Sequence, residues 1–312
     1  MVVCMNEMIG NICLNYDYYR GTDLYSDGDV EDELLEIVQK YEESEFDSVI
    51  KQKRNWPVFY HLSPLRHNII DWYGFDKGKT VLEIGSGCGA ITGCLSKKCK
   101  KVTCVELSKR RSLINAYRNK NKDNIEIYVS NFEDFRTVNH EKYDYVTLIG
   151  VFEYSENFIN TKHPYLDFLK RIREFLKEDG KLIIAIENKL GMKYWAGCKE
   201  DHSARFFEGL ENYTNTTGVK TYTKKELSEL LSEVGYNNIE WYYPYPDYKF
   251  ANSIYSDDYL PKPGELNNNM RNFDMDRLVL FDESKVFDTI LQNDLFPVYS
   301  NSYLLISERG RK

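Results

Sequence analysis

From residue 80 onward, short apolar runs alternate with helical stretches, and this alternation is the strongest pattern in the chain. Thr80–Ile84, Val102–Glu106, Ile125–Val129, Tyr143–Ile149 and Lys181–Ile186 read as strands, with helices near 90–98, 108–120 and 164–177 between them. Runs that are apolar throughout and spaced by helices predict strands buried on both faces of a parallel sheet. Lys177-Glu-Asp-Gly180 predicts the end of the third helix, a basic residue followed by a glycine cap. Thr223-Lys-Lys-Glu226 is a capping box opening a further helix, followed by strands near Ile239–Tyr243 and Tyr303–Ser307. Residues 188–222 and 244–301 break the alternation, and connections of that length usually carry function.

Upstream the pattern is different. Residues 1–54 read as a polar leader with one helix, because Asp29-Val-Glu-Asp-Glu places acids before Leu34, Leu35, Ile37, Val38 and Tyr41. Residues 56–74 are aromatic and mixed and read as a helical cap packed on the strands and helices downstream. The expected division is an acidic leader and cap over 1–74 and a main domain over 75–312 carrying the two insertions. A leader too polar for a core of its own predicts that removing residues 1–54 leaves folding intact.

Charge and cysteine content narrow the function classes. Residues 1–50 hold 13 acids and two bases in a chain of net charge −8, an odd surface for a general nucleic-acid binder. Residues 97–122 hold ten Lys/Arg and one acid, which reads either as a patch for nucleic acid or a nucleotide-linked donor, or as the solvated face of a helix. Seven cysteines with no C-x-x-C pair argue against a disulfide framework or zinc knuckle and point to a reducing, cytoplasmic setting. Neither a membrane span nor a secretory signal is expected.

The candidate chemistry starts at Val81-Leu-Glu-Ile-Gly85-Ser-Gly87-Cys-Gly89-Ala90, a strand running into a glycine turn and a helix. Taken alone it satisfies the dinucleotide fingerprint through Gly85, Gly87 and Ala90. Glu83 shifts the balance, because a carboxylate there suits an ammonium group better than a pyrophosphate. Glu106 lies 21 residues past Gly85, the spacing at which an acid accepts from ribose hydroxyls. Ser130-Asn131-Phe132 adds an amide and a ring where an adenine could be held, or Asn131 is a turn residue.

With Gly150-Val-Phe-Glu-Tyr154 added, these motifs resemble those of class I S-adenosylmethionine-dependent methyltransferases over about residues 75–307. The resemblance implies an α/β, Rossmann-like sheet of seven strands in the order 3-2-1-4-5-7-6, the last antiparallel. It also implies S-adenosyl-L-methionine as cofactor. The Gly85, Gly87 and Gly89 backbone would line the methionine moiety, Glu106 the ribose, and Asn131 with Phe132 the adenine, with Glu83, Leu107 and Gly150 completing the cofactor-binding set.

A narrower resemblance rests on Trp56-Pro-Val-Phe-Tyr-His-Leu-Ser63, Glu187-Asn-Lys-Leu-Gly-Met-Lys-Tyr-Trp-Ala-Gly197, Glu200-Asp-His202 and Tyr242-Tyr-Pro-Tyr-Pro-Asp-Tyr-Lys249. These resemble bacterial methyltransferases found with glycosyltransferases of surface polysaccharide synthesis. The implied acceptor is a sugar, glycoconjugate or related small molecule, methylated on oxygen. The alternatives are N-methylation of an amino-sugar or small amine, and a non-catalytic cofactor-binding partner of a glycosyltransferase.

His202, in the long loop after the fifth strand, is the expected general base, with Asp201 as the carboxylate favouring its charged form. Tyr60, His61, Glu153, Glu187, Tyr194 and Asp247 are expected to line the acceptor. No metal is expected, although Glu153 and Glu187-Asn188 loosely match the acid and acid–Asn positions of metal-dependent catechol-type enzymes. The tyrosines of 242–248 suit either stacking on a sugar ring or core packing.

Overall fold

A computed structural model describes residues 6–21, 23, 28–269 and 275–310. The chain folds as two units, one of residues 1–148 with 175–180 and one of residues 149–174 with 181–312.

Among the described residues the first unit holds six strands: β1 (Asn6–Ile9), β2 (Ile12–Asn15), β3 (Thr80–Ile84), β4 (Lys101–Glu106), β5 (Ile125–Val129) and β6 (Tyr143–Ile149). They lie in the order β1-β2-β5-β4-β3-β6. Every pair is parallel except β1 with β2. Val81, Leu82, Val102, Cys104, Val146 and Leu148 are fully buried, as expected for strands covered on both faces.

The leader departs from the reading of its sequence. Residues 6–15 form a hairpin whose second strand extends the sheet, with Cys13 opposite Glu126. Its turn needs Gly10, at φ +59°, because a Cβ there would strike the Lys120 carbonyl. Two helices come next rather than one, Val30–Lys40 and Phe46–Lys53. Leu34, Ile37, Val38, Phe46 and Val49 share one apolar cluster with Val58, Leu62, Cys88 and Ile114.

The leader's acids also find partners in the basic stretch. Glu31 meets Arg111 at 2.7 Å, Asp32 meets Arg110 at 2.6 Å and Glu42 meets Lys120 at 2.8 Å. Glu43 lies 3.3 Å from Arg118, whose side chain is wholly buried. Arg111 and Arg118 are drawn into the chain's own interior, while Arg110 and Lys120 pair with acids and stay partly exposed, as on a solvated face.

β7 (Leu176–Glu187) begins in the first unit and from residue 181 belongs to the second, which also holds β8 (Asn237–Tyr245), β9 (Ser253–Ser256) and β10 (Ser302–Glu308). Their order is β7-β10-β8-β9, antiparallel throughout. The expected 3-2-1-4 order thus runs through β5-β4-β3-β6 and the expected 5-7-6 through β7-β10-β8, while β1, β2 and β9 are additions. The helix Pro164–Phe175 stops earlier than its sequence suggested, and residues 176–180 are strand. Lys177 is held by Asp144 at 2.7 Å, and Gly180 does not adopt the left-handed backbone of a helix cap. The helix Lys224–Val234 starts at the expected capping box, with both reciprocal bonds between Thr223 and Glu226 formed. Among the described residues no helix is long and apolar enough to cross a membrane.

Because the leader shares a core with the helix that follows the glycine turn's strand pair, Leu34→Ala should lower unfolding free energy by about 2–5 kcal/mol. A chain lacking residues 1–54 should unfold at lower denaturant than the intact protein. Urea titrations of both check this, and unchanged midpoints would show that the leader is dispensable.

Candidate active site

In the first unit β3 delivers the chain into a turn where Gly85, Gly87 and Gly89 all take positive φ, at +68°, +52° and +76°. Only glycine adopts that run without strain. At Gly89 the requirement is also steric, since a Cβ would lie 2.7 Å from the Asn115 side-chain carbon. Glu106 ends β4 and ties this turn down, accepting from Gly87 N at 2.8 Å and from Ser108 N at 2.9 Å. Burial pushes its carboxyl up, against those backbone donors. Glu83 accepts from Thr92 Oγ1 at 2.6 Å, and burial pushes it up to about 7. Leu107, next to Glu106 in sequence, is half-buried.

Asn131 is engaged by its own helix, accepting from Asp134 N at 2.8 Å and donating to Asp134 Oδ2 at 2.6 Å. It is the N-cap of the helix Phe132–Val138. Phe132 is buried, with its ring 5.8 Å from that of Phe175. Tyr60 and His61 sit on the helix Trp56–Leu62 with ring centroids 4.9 Å apart, and Arg66 lies over the Tyr60 ring.

The second unit gathers buried charge after β6 and at the end of β7. Gly150 turns the chain at φ +69°, where a Cβ would come 2.7 Å from the Tyr248 hydroxyl. That turn leads to Glu153, 1% exposed, and Glu187 is the last residue of β7 at 0%. His202 joins them from the 188–222 loop. Its Nε2 lies 3.6 Å from Glu153 Oε1 and 3.8 Å from Glu187 Oε2, while its Nδ1 bonds Glu200 Oε1 at 2.8 Å. Glu153 Oε2 and Glu187 Oε2 are buried with no hydrogen-bond partner.

Asp201 does not supply the carboxylate expected beside His202. Its oxygens take Tyr194 Oη at 2.6 Å, Lys249 Nζ at 2.8 Å and Lys193 Nζ at 2.9 Å. Glu200 fills the place because its other oxygen accepts from His202 N and Ser203 N, a loop turn that lays the carboxylate against the ring. Lys249 also pairs with Glu187 Oε1, and Lys193 bonds Asp247 at 2.8 Å. Asn188 is spent on structure, donating to the Val298 and Ser300 carbonyls. Tyr243, Tyr245 and Tyr248 are buried, so core packing claims most of the tyrosine run.

The electrostatics follow from this arrangement. Burial opposes charge on His202, but Glu187, Glu153 and Glu200 outweigh it and hold the imidazole well above its ordinary value. These carboxylates favour the charged form of the ring, whereas a general base needs the neutral one. Burial, reinforced by Glu187, raises Glu153. Asp201 is held well below the usual carboxylate range, since Lys193 and Lys249 overcome its burial.

Glu200, Lys193 and Lys249 were not singled out from sequence, although all three fall inside the quoted motifs. The usable signal was a glutamate two residues before a histidine in a loop.

A family described as a methyltransferase domain matches residues 58–240. Among solved structures the chain is similar to an S-adenosylmethionine-dependent methyltransferase of Archaeoglobus fulgidus, with 13% identity, 84% of this chain and 99% of that one covered, and a TM-score of 0.48. It is similar to one from Thermotoga maritima at 13% identity, covering 88% and 98%, with a TM-score of 0.44. A third is a Haemonchus contortus phosphoethanolamine N-methyltransferase at 14% identity, covering 79% and 52%, with a TM-score of 0.46. No curated protein matches the sequence.

Glu83 offers a direct check on the first site. Its folded value, raised from 4.5 to about 7, means the folded state binds more protons than the unfolded one between those limits, so stability falls as pH rises through them. Glu83→Gln cannot charge. The stability difference should shift in the variant's favour as pH climbs through that window and stay flat outside it. Urea unfolding at a series of pH values reads this, and a pH-independent difference would show that the carboxyl titrates normally.

Proposed function

We propose, because the chain belongs to the methyltransferase-domain family and is an S-adenosylmethionine-dependent methyltransferase, that its acceptor is a hydroxyl of a sugar, glycoconjugate or related small molecule. The observation that supports the reading is the buried Glu153–Glu187–His202 cluster, which offers the kind of proton acceptor that an unactivated hydroxyl needs. The sugar itself is suggested by the motif resemblance, which also suggests action in the cytoplasm beside a glycosyltransferase of polysaccharide synthesis.

In this scheme Glu83 faces the cofactor's ammonium group, the Gly85, Gly87 and Gly89 backbone lines its methionine chain, and Glu106 with Leu107 receives the ribose. Phe132 packs on the adenine beside Asn131. Tyr60 and His61 contact the acceptor. The acceptor oxygen attacks the methyl carbon, the new C–O bond forming as the C–S bond breaks, and S-adenosylhomocysteine leaves uncharged. The hydroxyl proton passes to the cluster, with Glu153 its receiver, because the carboxylates around His202 favour the already protonated ring. Tyr194, Asp201 and Asp247 act through Lys193 and Lys249 to hold Glu187 in place. Orientation supplies most of the acceleration in such a displacement, and a positioned base adds about 10²–10⁴.

The same carboxylates would also hold an ammonium, which favours N-methylation of an amino-sugar or small amine as the second reading. Incubating cognate glycan and small-amine extracts with deuteriomethyl cofactor, then locating the label by mass spectrometry, separates the two. Label on oxygen is expected, and label confined to nitrogen would overturn the hydroxyl reading.

Glu106→Ala should weaken S-adenosylhomocysteine binding by ~1.5–3 kcal/mol, the range for hydrogen bonds to a charged group. Calorimetry showing unchanged affinity would sink its role. Glu153→Gln should lower kcat about 10²-fold with cofactor affinity within a few-fold. Wild-type turnover should rise with pH through a value above the ordinary carboxylate range, since Glu153 accepts a proton only when ionised and its value is raised. Loss of that rise in the variant is the confirming result.

A further inference from the structure

We propose that Glu153, Glu187 and His202 form a binding site for one divalent first-row metal cation, with zinc or manganese the metals that their donor set suits. The cation's role in activating the acceptor rests on the function proposed above, whereas the site itself rests on geometry.

One atom from each residue, a carboxylate oxygen or an imidazole nitrogen, lies within 4.8 Å of the other two. The separations of 3.6 and 3.8 Å from His202 Nε2 to the two carboxylates are too long for hydrogen bonds. They approach the roughly 3.3–3.6 Å between tetrahedral ligands that each stand about 2.0–2.2 Å from a shared cation. His202 and Lys249 offset part of the charge, but Glu153 Oε2 and Glu187 Oε2 are buried without hydrogen-bond partners, and a bound cation would give them one.

The surroundings are those of a ligand set. A metal-ligating histidine almost always donates its second ring N–H to a carboxylate, a backbone carbonyl or water, and His202 Nδ1 lies 2.8 Å from Glu200 Oε1. That bond leaves Nε2 facing Glu153 and Glu187, where a cation would take the place of the proton that the neighbouring carboxylates favour on the ring. Glu200 is in turn fixed by the backbone N–H groups of His202 and Ser203. Lys249 takes Glu187 Oε1 and is anchored on Asp201 at 2.8 Å, so it orients Glu187 while leaving Oε2 to the cluster. Two oxygens and an imidazole nitrogen favour zinc or manganese over calcium, and three protein ligands leave a position for an acceptor oxygen.

Full-length protein stripped with chelator should take up one equivalent of Zn²⁺ by calorimetry and one of Mn²⁺ by electron paramagnetic resonance. Glu153→Gln and Glu187→Gln should each weaken Zn²⁺ binding by about 100-fold or more, and Glu200→Gln by about 10–100-fold. X-ray absorption of the zinc-loaded wild type should show one imidazole and oxygen neighbours, which decides the matter even if a variant does not fold. No stoichiometric uptake by folded wild type, uptake unchanged in the glutamate variants, or sulfur neighbours around zinc would overturn the site. Methyl transfer to a hydroxyl that persists undiminished in stripped enzyme overturns the cation's role and leaves the acceptor reading standing. Zinc uptake with label only on nitrogen does the reverse.

Discussion

A buried carboxylate must meet a cation or give up its charge, and the second unit is organised around that constraint. Glu153, Glu187 and Glu200 are at most 1% exposed, and Asp201 and Asp247 stand close by. Isolated in an apolar interior each would be prohibitively unfavourable as an anion. His202, Lys193 and Lys249 make the arrangement tolerable, and they arrive from two segments far apart in sequence. Residues 188–222 contain only one four-residue helix, Met192–Trp195, so these ionic contacts do for the loop what a hydrophobic face does for a helix.

Charge works differently in the first unit. Exposed pairs such as Asp32 with Arg110 are worth at most about 1 kcal/mol each. The pairs that matter are buried. Glu31 is wholly inaccessible against Arg111, and Arg118 is equally hidden, with Nη1 on the His61 carbonyl at 2.7 Å. Removing one partner from such a pair typically costs about 3–5 kcal/mol, because the other is left charged in the interior. The acidic leader is therefore the counter-charge of the helix Lys109–Arg118 as well as an apolar contributor to the same core.

The main strands were legible because a strand buried on both faces must be apolar throughout, whatever its neighbours. The glycine turn was legible because positive φ at Gly85, Gly87 and Gly89 leaves little choice of residue. The hairpin was not, since β1 and β2 are four residues each, and Asn6, Glu7 and Met8 are exposed, leaving only Ile9 of β1 in the core. In the cluster, Glu153, Glu187 and His202 could be named as singular polar residues after strands. Which carboxylate faces the imidazole could not, because adjacency along a loop says nothing about the turn that selects Glu200 over Asp201.

The position of β10 between β7 and β8 has a consequence for how the protein is made. Its seven residues pair with β7 on one side and β8 on the other, yet it is the last of the ten described strands to leave the ribosome. Residues 246–301 separate β8 from β10, which at about 5–20 residues per second is a delay of roughly 3–11 s. Throughout that interval the β7 and β8 edges that will flank β10 carry unpaired backbone N–H and C=O groups, the kind of surface that recruits another nascent chain. The six strands of the first unit are all synthesised before β7 begins. Nascent-chain chaperone demand should therefore fall on the second half of translation, and slow codons placed just before residue 302 would lengthen the exposure, whereas the same codons after β6 would give the first sheet time to form.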